Sequence, residues 1–156
     1  MGNAVGVTPV LDMFKKGISV GLGTDGYTAD MTESYKVMNI ISKHEKRLPS
    51  VGWLESPQMI FNNNPMIANK FMKNGKVGVL KKGYYADIII VDYKAPTPLN
   101  ENNINGHLLF GISGRNVDTT IINGKIVMDE RILTCIDEEK ITSKSVELAK
   151  KVWSRI

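Results

Sequence analysis

The stretch Ile18-Ser19-Val20-Gly21-Leu22-Gly23-Thr24-Asp25-Gly26 decides how the chain is read. Ile18, Val20 and Leu22 form an apolar run of strand length, while Gly21 and Gly23 remove side chains where a backbone or a ligand must come close. Asp25 follows the carboxyl end of that strand, on a turn shaped by Gly23 and Gly26. In α/β proteins the loops at that end carry chemistry, so a carboxylate there is a candidate metal ligand or base. The plainer reading is that Asp25 caps its own turn, as an aspartate before glycine often does.

Outward from this stretch the pattern alternates helix and strand. Thr8-Pro9 opens a helix with Thr8 as N-cap, Val10, Leu11 and Phe14 give it an apolar face, and Gly17 closes it after Lys15-Lys16. Asp30 and Glu33 have N-cap and N3 spacing for a helix reaching Lys46, with Met31, Tyr35, Met38 and Ile41 as the buried stripe. Pro49 to Gly52 interrupt the pattern. Ser56-Pro57 predicts a further short helix with Ser56 as cap, and Pro65 another that carries Ile67, Phe71 and Met72 and ends near Asn74-Gly75.

From Lys76 the chain turns β-rich. Strands are predicted at Val77 to Leu80, Ala86 to Tyr93, Val117 to Ile122 and Lys125 to Met128. Ile88-Ile89-Ile90-Val91 reads as a strand covered on both faces. Asn123-Gly124 is the strongest hairpin signal, since both residues tolerate the positive φ of a type I′ turn. Pro96 and Pro98 mark a loop, Asn102 to Phe110 reads as a short helix, and Asp137 caps a final helix with Ile141, Leu148, Val152 and Ile156 on one face.

The 156 residues divide into 1–75, an α/β portion; 76–136, a β-rich portion; and 137–156, a terminal helix. Neither larger portion looks closed, because the strand at Ile18 to Leu22 finds no partner strand within 1–75 and buried backbone groups must be paired. The length excludes a complete (β/α)8 barrel, which needs roughly 250 residues. The net charge of +4 comes from lysines interleaved with acids, not from a basic stripe, which argues against nucleic acid. No apolar run is long enough to span a membrane and residues 1–20 do not resemble a leader. A single cysteine, Cys135, excludes an internal disulfide framework and fits a reducing, cytoplasmic setting, with the thiol expected to be structural and partly buried.

Two longer segments carry a family resemblance. GISVGLGTDGYTADMTESYKVMNIISKH is similar to the end of the barrel in the metal-dependent amidohydrolase superfamily, in the branch of chlorohydrolases and aminohydrolases that includes triazine hydrolases, guanine deaminases and aminohydrolases linked by name to selenium metabolism. GKVGVLKKGYYADIIIVDYKAPTPL, followed by GISGRNVDTTIINGKIVMD, resembles that family's closing segment, and the similarity runs from Ala4 to about residue 150. The resemblance implies the last strand and helices of a (β/α)8 metallo-hydrolase barrel, then part of a small β-sandwich and a terminal helix. It also implies a small heterocyclic substrate and a divalent metal, zinc or iron. The family aspartate that binds this metal after the eighth strand matches Asp25. One of its oxygens touches the metal while the other accepts a proton from the attacking water.

The resemblance also needs an HxH pair and further histidines, and the chain has only His44 and His107. His44 sits among Lys43, Glu45 and Lys46 on a helix end and reads as solvated; His107, far along the chain from Asp25, reads as a packing residue. Ser113-Gly114-Arg115 reads as a structural turn, since nothing nearby would activate Ser113. The expectation is therefore the carboxyl-terminal part of a hydrolase of non-peptide carbon–nitrogen or carbon–halogen bonds, silent alone, binding no metal alone, and self-associating as a homo-oligomer through its open edges. One alternative is a non-catalytic subunit completing a barrel on another chain. Another is a nucleotide-binding module, because Gly21 to Gly26 match G-x-G-x-x-G, although Asp25 would set a second negative charge against a phosphate.

Overall fold

The computed structural model describes residues 5–156, so Ala4, where the resemblance begins, lies outside the described residues. Among the described residues, six α-helices and a four-stranded antiparallel sheet make up the fold. Helix α1 spans Val10–Lys15, with Pro9 and not Thr8 at the capping position and no side-chain cap. Helix α2 spans Met31–Lys46 and starts where the Asp30 to Glu33 spacing places it: the Asp30 carboxylate accepts from the N–H groups of Thr32 and Glu33. Its buried face is Tyr35, Met38, Asn39 and Ser42.

The two short helices expected after Gly52 are one continuous helical run. Helix α3, Glu55–Pro57, passes through a π turn at Gln58–Asn63 into α4, Asn64–Ala68. Ser56 is not its cap. It lies inside α3, fully buried, and its hydroxyl donates to the Met38 thioether at 2.8 Å, which joins this run to α2. Tyr35, Met38, Met59 and Leu11 form the core here, continued by Leu109 from helix α5, Ile104–Phe110, and by Ile112 just after it.

The sheet is a meander of β1 (Ile88–Val91), β2 (Val117–Ile122), β3 (Lys125–Asp129) and β4 (Ile132–Leu133). Ile88 faces Ile121 across β1 and β2, and Ile121 faces Ile126 across β2 and β3. Asn123 (φ 50°) and Gly124 (φ 75°) turn the expected hairpin. Asp87 braces it by accepting the Asn123 N–H at 2.7 Å. A Cβ at residue 124 would meet nothing within 4 Å, so Gly124→Ala is opposed only by the left-handed backbone. We expect it to lower stability by about 1 kcal/mol, read as a lower urea midpoint at unchanged slope; an unaltered midpoint would remove the turn from the determinants of the sheet.

Three expectations are corrected. Val77 to Leu80 forms no strand: a bridge pairs Lys76 with Tyr84 just before it, and the Asn69 carboxamide accepts the Val77 N–H at 2.9 Å and donates to the Val77 carbonyl at 3.1 Å. Ile88 to Val91 is not covered on both faces, since Ile89 and Ile90 are 55% and 51% exposed. Ile18 to Leu22, expected as a strand, forms none among the described residues, in keeping with the lack of a partner strand within 1–75. Helix α6, Glu138–Trp153, is capped by Asp137 as expected, but Ile141, Leu148 and Val152 remain exposed along it. No helix among the described residues is long and apolar enough to cross a membrane.

Candidate active site

The extended segment before Asp25 is held by side chains. Asn64 accepts the Leu22 N–H at 2.8 Å and donates to the Leu22 carbonyl at 2.8 Å, and Asn63 donates to the Val20 carbonyl at 2.7 Å. Gly21 makes this approach possible, since a Cβ there would stand 2.5 Å from Asn64 Oδ1. What comes close at Gly21 is thus a carboxamide. Beyond it, Tyr27 N–H reaches the Thr24 carbonyl at 3.4 Å, and Asp25 itself takes the left-handed conformation of the turn at φ 53°. Gly23 and Gly26 adopt no positive φ, and a Cβ on either would meet nothing within 4 Å among the described residues.

Asp25 is exposed at the rim of a cleft of about 540 Å³. Val20 and Leu22 line one side, Val37 and Ile41 of α2 the other, and Met59 contributes from the π turn. Thr28 and Glu33 add polar groups and bond to each other through the Thr28 hydroxyl. The cleft therefore combines apolar walls with a few oxygen groups at one end, the arrangement of a small-molecule site.

Asp30 ties the start of α2 to the loop at Gly114. Its Oδ1 receives the Thr32 hydroxyl at 2.6 Å and the Thr32 and Glu33 N–H groups at 2.8 and 3.3 Å, while Oδ2 receives Gly114 N–H at 3.0 Å. Burial pushes its carboxyl upward, but the Thr32 hydroxyl and the N–H groups of Gly114, Thr32 and Glu33 outweigh that and hold it below the usual aspartate value. The α2 amides that a bound phosphate would require are thus already taken by a carboxylate, which weighs against the nucleotide reading of Gly21 to Gly26.

The two histidines stay away from Asp25. His44 is exposed in the last turn of α2. His107 is buried in α5, with Nδ1 at 2.8 Å from the Tyr93 hydroxyl and Nε2 at 3.2 Å from Thr97 Oγ1, so both ring nitrogens are occupied by packing partners. Ser113 opens a short 3₁₀ turn, Gly114–Asn116, where the Asn116 carboxamide oxygen accepts its N–H at 2.9 Å and its hydroxyl at 3.1 Å. Cys135, expected partly buried, is exposed. Among the described residues no group of three or more His, Cys, Asp or Glu could hold a metal ion. An exposed carboxylate suits one vertex of a divalent site, and these residues supply no more than that.

Asn63 and Asn64 escaped the sequence reading. The available signal was the polar run Asn62-Asn63-Asn64 directly before Pro65, unusual inside a helix, where asparagine competes for backbone bonds.

Residues 3–127 match the amidohydrolase family, and the chain belongs to it. Among particular relatives, it is 36% identical over 156 residues to the 5-methylthioadenosine/S-adenosylhomocysteine deaminase of Dictyoglomus thermophilum, covering 95% of this chain and 36% of that protein. The zinc-bound adenosine deaminase of Xanthomonas campestris shares the fold over 97% of the chain, with a TM-score of 0.80 at 17% identity, covering 35% of that structure. The atrazine chlorohydrolase of Arthrobacter aurescens TC1, solved with zinc, superposes over 92% of the chain and 32% of its own length with a TM-score of 0.69 at 18% identity. The chain thus spans about a third of the length of the relatives it matches.

Proposed function

We propose that this chain supplies the Asp25-bearing portion of a metal-dependent aminohydrolase that removes the exocyclic amino group of an adenosine-like base. The observation that carries the reading is Asp25, set by a left-handed turn at the rim of a largely apolar cleft, directly after a segment that the fold keeps extended. A carbon–nitrogen bond is favoured over carbon–chlorine because the deaminase relative reaches 36% identity, whereas the chlorohydrolase resembles the chain in fold alone.

In this reading Asp25 would be one ligand of a divalent ion, its other ligands being histidines outside these residues, and the ion would supply Lewis acidity. The free Asp25 oxygen takes a proton from the attacking water. As the water oxygen bonds to the ring carbon and the carbon–nitrogen bond breaks, the proton passes to the departing nitrogen, which leaves as ammonia. The apolar walls of Val20, Leu22, Val37 and Ile41 suit the flat face of a ring.

The test is ammonia release from 5-methylthioadenosine, S-adenosylhomocysteine and 5′-deoxyadenosine by the complete polypeptide loaded with zinc or iron, with atrazine as the chloride-releasing control. Deamination of at least one nucleoside is expected; release of chloride alone, or of neither product, overturns the reading. A second reading, a non-catalytic subunit that completes a barrel on another chain, draws on the exposed Ile89, Ile90 and α6 residues. It is distinguished by the coding sequence upstream of Met1: an open frame containing an HxH pair excludes it.

A further inference from the structure

We infer that Asn64 is the positioning residue of the Asp25 turn: its carboxamide stands in for the peptide group of a neighbouring strand beside Leu22 and fixes where the chain enters the turn. The inference rests on the proposed function only in giving Asp25 its chemical role. An isolated extended segment must find partners for its N–H and C=O groups or leave them to water. Here one side chain meets both needs of one residue. Asn64 Oδ1 accepts from the Leu22 N–H at 2.8 Å and Nδ2 donates to the Leu22 carbonyl at 2.8 Å, from 42 residues away in sequence. That is the donor and acceptor pair that one residue of a ladder presents to the next strand.

Three features single out this position. Asn63 repeats the contact one step earlier, at the Val20 carbonyl, so alternate residues of the segment are gripped from the same side. The two asparagines sit where the π turn Gln58–Asn63 gives way to α4, and such turns re-aim side chains relative to a regular helix. Gly21 supplies the room, since any Cβ would collide with Asn64 Oδ1. Aspartate cannot replace Asn64: a carboxylate would accept the Leu22 N–H but would set a second acceptor against the Leu22 carbonyl.

The test is amide hydrogen exchange by NMR on this chain, with the β2 amides reporting global opening. In Asn64→Ala, Leu22 N–H should exchange about tenfold faster while β2 is unchanged. Equal acceleration at Leu22 and β2, or none at Leu22, overturns the inference. Gly21→Ala probes the same contact from the other side. It should release Leu22 when Asn64 is present and add nothing in the Asn64→Ala background, whereas additive effects overturn the assignment. In the complete enzyme, Asn64→Ala should lower kcat with KM unchanged. Local loss of Leu22 protection without loss of kcat would overturn the positioning role of Asn64, whereas the chemical role of Asp25 stands or falls with Asp25→Asn, so the two readings fail separately.

Discussion

Asp25→Asn in the complete enzyme is expected to lower kcat by about 10²- to 10⁴-fold while leaving thermal unfolding unchanged. Asparagine is the informative replacement because Asp25 holds φ 53°. Among non-glycine residues, asparagine is one of the few that tolerate this conformation, so the turn survives while the negative charge and the proton acceptor are lost. Asp25→Ala removes the same chemistry but adds about 1 kcal/mol of backbone strain. A matched loss of kcat in both variants therefore assigns the effect to the carboxylate. Stability should hold in the asparagine variant because Asp25 is exposed and borders a cleft, not the core. Retained turnover would remove Asp25 from the site. The same geometry bears on metal: a single exposed carboxylate binds a divalent ion weakly, so this chain purified without chelator should carry no stoichiometric zinc or iron. A full equivalent would show that Asp25 has partners beyond those its fold brings near.

The features readable in advance are those in which a residue acts on its immediate neighbours. Asp30 caps α2 and Asp137 caps α6 because a carboxylate reaches N–H groups two or three residues ahead, a relation visible as spacing. Asn123-Gly124 turns its hairpin for an equally local reason. The misread elements depend on partners distant in sequence. Ser56 before Pro57 has the local mark of a cap, yet burial against Met38 decides its place. The turn into β4 was missed because Glu130 and Arg131 adopt φ of 47° and 64° without a glycine to announce it. Ile88 to Val91 has the composition of a doubly covered strand, but nothing among the described residues covers Ile89 and Ile90.

The candidate site divides along the same line. Asp25 stood out because it follows an apolar run and a glycine-rich turn. Asn63 and Asn64 did not, because a carboxamide that replaces a strand leaves no periodicity behind it. The histidines read from their neighbours as solvated and packing residues. His44 lies among charges, and His107 proves to be held on both ring nitrogens by Tyr93 and Thr97.

Asp30→Ala should be the most destabilising single substitution on the polar side of the site, at about 2 to 3 kcal/mol. One carboxylate serves two purposes: Oδ1 caps α2 through Thr32 and Glu33, and Oδ2 holds Gly114 N–H, joining the start of α2 to the loop that feeds β2. Asp30→Asn separates them. The asparagine oxygen caps the helix as well as aspartate does, but its NH₂ group faces another donor at Gly114, so only the second contact is lost. We therefore expect Asn to cost about half of what Ala costs, measured as urea midpoints. Equal losses would mean that the cap contributes nothing, and no loss in Asn would mean that the Gly114 contact contributes nothing. The pH dependence follows from the lowered pKa of Asp30. A carboxyl whose folded pKa lies below its unfolded value stabilises fully above the unfolded value, roughly pH 4, and loses that contribution as pH falls through the folded pKa. The wild-type chain should accordingly lose stability on acidification below about pH 4 more steeply than Asp30→Asn, and the two curves should converge at the acid end. Parallel curves would show that Asp30 is not the carboxylate that ties α2 to the sheet.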